Sequence, residues 1–572
     1  MTRLIPAAVL LAFGIASPAL AATAPSDGVA TAASGSVATP VAMPANYSQL
    51  AALFREWRAF ASPPMTADVA DYGVAAMAGQ AAALPGWRQR LAAIDRTGWP
   101  KAALIDHQLV AAEMNGLDFH HRVLKPWARD PTFYANVFAD TSDVPLHEGP
   151  YAEPHIDLYK FDFPLDAADE KRLAALLAGV PAHLAAARIN LKGSNARDLW
   201  TYGNRAFLDQ SETLAKLGDG TLVMNTLQGR KPATIKGAGS ELRRAIAAAK
   251  AATDDFAAFV AREAPKKTGP SGVGKENYNW FVKNVELMPY DWDAQVTLLR
   301  RELDRSVAAM RLEEVRNRDV PQVTPLADPA AFDKWAKAKA VYFSQFLADT
   351  GIIPDAPWSR TAIAAQTIDY VPPADRNFFA HVNAHDPLPL ISHFTHWIDL
   401  ARMKEIPHAS PIRREPSRYG IYAGRSEGFA TAFEEVAMHA GLYDDIPHGR
   451  ELVWVMLANR AARGLASLYV QSNAMDLAEA GKFHAEWTPR GWSDPASPLV
   501  GFEQLLYARQ PGYGPSYVLG KLQLDRLLAD LSHADEVAGR PFVMRSAMQR
   551  VMDAGVIPVA LINAELVPAP RP

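Results

Sequence analysis

The segment PLPLISHFTHWIDLARM, Pro387–Met403, and the segment GRSEGFATAFEEVAMHAGLYDD, Gly424–Asp445, decide how the chain is read. In the first, His393, His396 and Asp399 recur every three residues, which sets them on one face of a helix. In the second, Glu427 and Glu434 stand two turns apart on another helix. Both segments carry apolar residues at helical spacing, and neither alternates as a strand would. Two helices that bring imidazoles and carboxylates together are how helical metallohydrolases build a site.

Working outward, helical periodicity continues through most of the chain. Leu50, Leu53, Phe54 and Trp57 form one stripe over Tyr47–Ala61. Helices are also predicted over Ala103–Phe119, Tyr134–Val137, Tyr290–Arg316, Phe332–Leu347, Arg450–Ala474 and Ser516–Leu531, and over Ser240–Glu263 with Ser240 as its cap. Asp166 has the chemistry of an N-cap, with Asp169 three residues on and Leu173, Leu176 and Leu177 following. Pro181 is expected to interrupt that helix, which resumes through Ala187. Strand signals are confined to Leu222–Met224 and the region Asn277–Leu287, and no repeat of fixed period is found. The fold class is therefore all-α, mainly helical with few short strands. Residues 47–565 read as one large helical domain, undivided or with two lobes around a cleft.

The N-terminus has the pattern of an export signal. Arg3 supplies the positive charge, Leu4–Ala16 the apolar stretch, and Ala19-Leu20-Ala21 the small-residue cleavage pattern. Residues 1–21 thus read as a signal peptide and 22–46 as a flexible leader, which implies a periplasmic or secreted product. No later stretch is expected to span a membrane. The 572 residues carry a net charge of -4 with both signs interspersed, so nucleic acid is not a partner on this reading. The absence of cysteine excludes thiol catalysis, disulfides, thiolate zinc sites and a lipid anchor on cysteine. No SxxK element marks a serine nucleophile. A small molecule or a peptide is the expected substrate, and nothing in the patterning specifies an oligomeric state.

Asp399, three residues beyond His396, is placed to orient its ring and raise its basicity. Glu427 lies between Gly424-Arg425-Ser426 and Gly428, small neighbours that permit close approach of a backbone or a ligand. Arg425 is suited either to a substrate carboxylate or to neutralising Glu427. Glu434 and Glu435 either serve the site or form a solvated helix face, the latter fitting Glu435 better. Phe394, Trp397, Phe429 and Phe433 either line an aromatic pocket or belong to the core, and Phe433 reads as core. Asp118, His120 and His121 form a separate cluster; adjacent histidines diverge on a helix, so at most one is expected to reach the site.

Glu427–Asp445, EGFATAFEEVAMHAGLYDD, resembles the EGWALYAEEL…GLYDD signature of the bacterial family called domain of unknown function 885. Pro511–Tyr517, PGYGPSY, with Gly520 resembles that family's PGQALSY…G element, and Glu276-Asn277-Tyr278 is a third match. The resemblance implies a zincin-like helical scaffold related to gluzincin metallopeptidases. Their site is HExxPGH followed downstream by the glutamate of EGW. It makes Glu427 a metal ligand, Tyr517 a stabiliser of developing negative charge, and Glu434 the second carboxylate. HExxPGH itself is not present. If His396 takes its first position, Trp397 and Arg402 replace the glutamate and the last histidine; if His393 does, Phe394 and Asp399 replace them. Arg463 fits the family's RLVVDxGxH element, whereas Ser467 and Gln471 stand where its acid and histidine would be.

Three functions follow from this reading. One is a hydrolase of peptides, amides or esters holding Zn2+, or manganese, through His393 or His396 with Asp399 and Glu427, with Glu434 or a substrate group as the base. Another is a metal-independent lyase, isomerase or esterase in which His396 is the base and Tyr517 or Arg425 holds negative charge. The third is a binding protein that has lost the reaction.

Overall fold

A computed structural model of the protein describes residues 43–66 and 69–568. The expected signal peptide and most of the leader lie outside the described residues. The first helix, α1 (Tyr47–Ala61), buries the stripe Leu50, Leu53, Phe54 and Trp57. It is followed by α2 (Lys101–Phe119), α3 (Ala167–Asn190), α4 (Arg197–Asp219), α5 (Ser240–Glu263) and α6 (Trp292–Arg316). The site is built later, from α7 (Thr395–Glu405), α8 (Ala423–His439), α9 (Gly449–Gln471), α10 (Pro498–Arg509) and α11 (Tyr513–Val537). Further helices, among them Val74–Ala92 and Pro329–Thr350, connect these.

Strand is confined, among the described residues, to three two-stranded pieces. These are antiparallel β1 (Met65–Thr66) with β2 (Val69–Ala70), parallel β3 (Val137–Phe138) with β4 (Ile156–Asp157), and the antiparallel hairpin β5 (Leu222–Thr226) with β6 (Gly229–Ala233). The all-α reading holds because the apolar residues recur with the helical period almost everywhere.

Two large hydrophobic cores and two smaller clusters result among the described residues. The larger draws on Tyr47–Leu124 and Val273–Ile562, and the second on residues from Ala70 to Val260. In the second core α5 packs against both α3 and α4. Asp166 caps α3 as expected, its carboxylate accepting from the Asp169 N–H at 2.8 Å. Pro181 does not interrupt α3, contrary to the sequence expectation. A proline inside a helix costs about 3 kcal/mol. Burial of Leu173, Leu177, Val180, Leu184 and Ala187 outweighs that cost. The unbroken helix and its first continuation, Ala167–Gly193, are long and apolar enough to cross a membrane by length and composition, which the broken reading concealed.

Other local expectations are corrected. Tyr134–Val137 is not a helix: a 3-10 turn capped by Asp130 ends at Tyr134 and β3 begins at Val137. Ser240 is the first helical residue of α5 rather than its cap, and Gly239 takes the cap position. Asn277–Leu287 is not a strand, because Tyr278, Phe281 and Val282 fall on one buried face of a helix over Lys275–Asn284. His393, His396 and Asp399 do not share one helix: a short helix ends at Ser392 and α7 starts at Thr395.

Helix α8 crosses α11 at close range. A Cβ built on Gly428 would stand 2.4 Å from the backbone of Gly520, and one on Gly520 would stand 2.0 Å from the Gly424 carbonyl oxygen. Only glycine permits that approach, and it brings the tyrosines at the start of α11 up to Glu427. Beside the crossing, Glu435 is not a solvated acid. It accepts two bonds from Arg305, at 2.9 and 2.7 Å, and lies 3.0 Å from Lys521 Nζ. Burial works to raise its pKa, but Arg305 and Lys521 outweigh this and hold the carboxyl down at about 2. A depressed carboxyl stabilises the fold above its unfolded pKa and loses that contribution as pH falls through the folded value. The window runs from about 4.5 down to about 2, and the contribution is up to about 3 kcal/mol. Glu435→Gln is expected to lower the urea midpoint at neutral pH and to flatten its decline across that window. An unchanged acid limb would refute the assignment.

Candidate metal and acid–base site

The break between Ser392 and Thr395 sets the geometry of the two imidazoles. His393 caps the short helix and His396 lies in the first turn of α7, so the two are not held to one helical repeat. Their Nε2 atoms lie 3.2 Å apart. From α8, Glu427 Oε2 lies 3.2 Å from His396 Nε2. His393, His396 and Glu427 each offer one donor atom within 4.8 Å of the others. Ligands on a tetrahedral zinc with bonds of about 2.0–2.1 Å stand about 3.3 Å apart, so the observed spacings fit such an ion.

The surroundings orient each donor. His393 Nδ1 lies 2.8 Å from Glu434 Oε1, a carboxylate behind the imidazole as in many metal centres. Arg460 on α9 fixes Glu434 with two bonds of 2.6 and 2.7 Å. Ser426 Oγ is 3.2 Å from His396 Nδ1. Tyr513, the first residue of α11, donates to Glu427 Oε1 and lies 2.8 Å from Glu148 Oε1. A phenol has one proton, so contact with two carboxyl groups requires one of them to be protonated. Glu148 lies on the loop between β3 and β4, and burial makes it the one of the two that favours the protonated form.

The electrostatics agree. Burial, with Asp143 and Glu427 nearby, pushes Glu148 up to about 8. Burial also lifts Glu427, but His396, His393 and Tyr513 outweigh it and hold Glu427 at about 2. Burial would lower His396, yet Glu427, Asp143 and Asp399 together raise it to about 9 in the absence of an ion. Burial and Arg460 push His393 well below its usual value. Burial raises Glu434 to about 7 despite Arg460. Asp143 is raised by burial and by Glu427.

The residues named from sequence divide. His393, His396 and Glu427 come together, with Glu434 behind His393. Asp399 is not in the donor group: both its oxygens are taken by Arg425, at 2.8 and 3.3 Å, and the pair is buried. Arg425 therefore does not face a substrate; its guanidinium also stacks 4.1 Å over Phe429. Asp399 is not the orienting partner of His396, a position held by Ser426. Tyr517 stands beside Tyr513, its ring 4.3 Å under the Arg463 guanidinium, and its hydroxyl has no partner among the described residues. Phe433 is core, as read. His120 and His121 stay away from the donors: His121 bonds Gln80, and His120 packs on Tyr419.

Sequence reading missed Glu148, Asp143, Tyr513 and Arg460. Tyr513 lies inside the PGYGPSY element, and Glu148 inside the acid- and histidine-rich stretch DVPLHEGPYAEPH, Asp143–His155. A cavity of about 530 Å³ is lined by Tyr72, Trp127, His147, Tyr151, Tyr419 and Tyr422, among others. It does not open on the donors. Its wall includes His147 and Gly149, while Glu148 between them reaches Tyr513.

No curated protein matches the chain. Solved structures share the fold, among them two candidate lipoproteins. One is a candidate lipoprotein of unknown function from Shewanella oneidensis, with a TM-score of 0.61 at 14% identity, covering 91% of this chain and 98% of that one. The other is a candidate lipoprotein from Colwellia psychrerythraea, with a TM-score of 0.63 at 14% identity and the same coverage. The sequence pattern of a family described as bacterial protein of unknown function (DUF885) matches residues 60–348, just over half of the chain. The matched region ends before the donor residues, and it confirms the family that the later EGF and PGYGPSY elements resemble: the chain belongs to the DUF885 family of bacterial proteins of unknown function.

Proposed function

We propose that the protein is an exported metal-dependent hydrolase of a peptide or a small amide or ester. The observation that carries this reading is the donor group His393, His396 and Glu427, with adjacent contacts of 3.2 Å and a carboxylate behind His393. These three side chains would hold a zinc-class ion, which acts as a Lewis acid on a substrate carbonyl. Export is supported by the N-terminal pattern and by neighbours that are candidate lipoproteins.

The remaining residues supply the acid–base work. Glu434 and Arg460 hold the His393 ring, and Tyr513 holds the Glu427 carboxylate. Asp143 and Glu148, standing near His396 and Glu427, take the role of the glutamate base that this chain lacks, and between them they take up and return a proton. Protonated Glu148 is the donor to a leaving group. The unpartnered Tyr517 hydroxyl is available to an oxyanion. The metal-independent reading with His396 oriented by Asp399 loses its support, because Asp399 is committed to Arg425.

Zinc-loaded and chelator-treated protein would be compared on a panel of peptides, amides and esters. Hydrolysis is expected only with metal. Glu148→Gln keeps a donor toward Tyr513 but cannot ionise, so it is expected to lower kcat about 10²–10³-fold with little change in KM. Turnover indifferent to chelation, or none on any substrate, would sink the proposal.

A further inference from the structure

The loop that delivers Asp143 and Glu148 runs from β3 to β4 without regular structure of its own until it pairs again at Ile156. Holding such a loop in one arrangement needs local anchors, since each ordered residue costs about 1–2 kcal/mol of backbone entropy. A second group of metal-ligating side chains lies on this loop and on β4. His147, His155 and Asp157 each offer one donor atom within 4.8 Å of the others. His147 Nε2 stands 2.7 Å from Asp157 Oδ1. His155 Nε2 is buried and has no hydrogen-bond partner among the described residues. A buried imidazole nitrogen without a partner is costly unless something fills the position.

Aromatic packing holds these rings in place. Phe138 stacks on His147 with centroids 3.8 Å apart and 19° between planes, and it also packs edge-on against His155. Phe138 is itself the strand partner of Asp157 across β3 and β4. Lys160 lies 2.7 Å from Asp157 Oδ2, so Oδ1 is the oxygen that faces His147. His147, His155 and Asp157 also line the cavity, so an ion has a route in.

We infer that His147, His155 and Asp157 form a second divalent-metal site, of the two-histidine, one-carboxylate type, that staples the β3–β4 loop. Such nitrogen and oxygen donors suit zinc, cobalt or iron rather than calcium or magnesium. Binding replaces the proton that His147 shares with Asp157 and spreads those two atoms toward the roughly 3.3 Å of a shared tetrahedral ion. It also gives His155 Nε2 its missing partner. The site lies one residue from Glu148, so an ion here fixes the position of the acid that meets Tyr513.

The test uses the full chain carrying Glu427→Gln, which removes the first donor group and leaves the loop intact. After dialysis against zinc, that variant is expected to retain one equivalent by mass spectrometry, and its thermal midpoint is expected to rise with added zinc. Adding His155→Ala or Asp157→Asn should take the retained zinc to none and remove the zinc-dependent rise. A Co2+ titration of the Glu427→Gln protein gives a readout with no substitution on the loop: a visible absorption band saturating at one equivalent is expected. No retained zinc and no saturating band would overturn the inference, as would zinc that survives both loop substitutions. The inference is separate from the hydrolase proposal. A wild-type protein holding one equivalent, all of it lost with His155→Ala, would support the loop site and refute the first.

Discussion

Replacing Glu427 by glutamine is expected to empty the His393–His396 centre of metal and to lower kcat/KM by about 10³-fold or more. The side chain is buried at 2% exposure, and glutamine keeps its size, so the fold should survive. What is lost is the one negative charge among the three donors, which also makes Glu427 a charged acceptor for Tyr513. Tyr513→Phe should have a smaller effect, about 10–100-fold in metal affinity, because it acts only by orienting the ligand. Metal analysis and initial rates would be measured together, with circular dichroism as the control on folding. A Glu427→Gln protein that kept its full metal complement and its turnover would remove the basis of the proposed function.

Breaking the Asp399–Arg425 pair is expected to cost about 3–5 kcal/mol of stability without touching the metal centre. Arg425 is fully buried, and its Nε already lacks a partner among the described residues. Asp399→Ala would leave that guanidinium without a counter-charge, which is the expensive case. The double replacement Asp399→Leu with Arg425→Met removes both charges and should recover most of the loss. Urea unfolding of the two single variants and the double closes the cycle. Asp399→Asn should keep zinc at the His393 centre. If it instead stripped the metal from a protein of unchanged stability, Asp399 would be a ligand and the ion-pair account would be wrong.

These two acids show why part of the site was legible and part was not. Asp399 sits three residues after His396, and spacing alone made it a partner of the histidines. The helix breaks before Thr395, which takes His393 off α7, and although His396 and Asp399 share α7, both oxygens of Asp399 are taken by Arg425 from α8. Glu435 next to Glu434 read as a solvated residue because its cationic partners, Arg305 and Lys521, lie far away in sequence. Glu148 carried no signal as a catalytic group, since its partner Tyr513 is 365 residues distant.

Periodicity by itself determined the helical class, most helix positions and the segments that carry the chemistry, because burial of one face of a helix is written in residues three and four apart. The residue types, rather than the period, singled out Glu427 with His393 and His396, and Gly424 and Gly428 as points of close approach. Tertiary structure alone decided which charges neutralise each other, which acid carries a proton, and which imidazoles face a common point. Those outcomes depend on distances across the fold and on exclusion of water, where a few tenths of an ångström and a change in burial move an interaction by kilocalories. No local pattern in the chain encodes them.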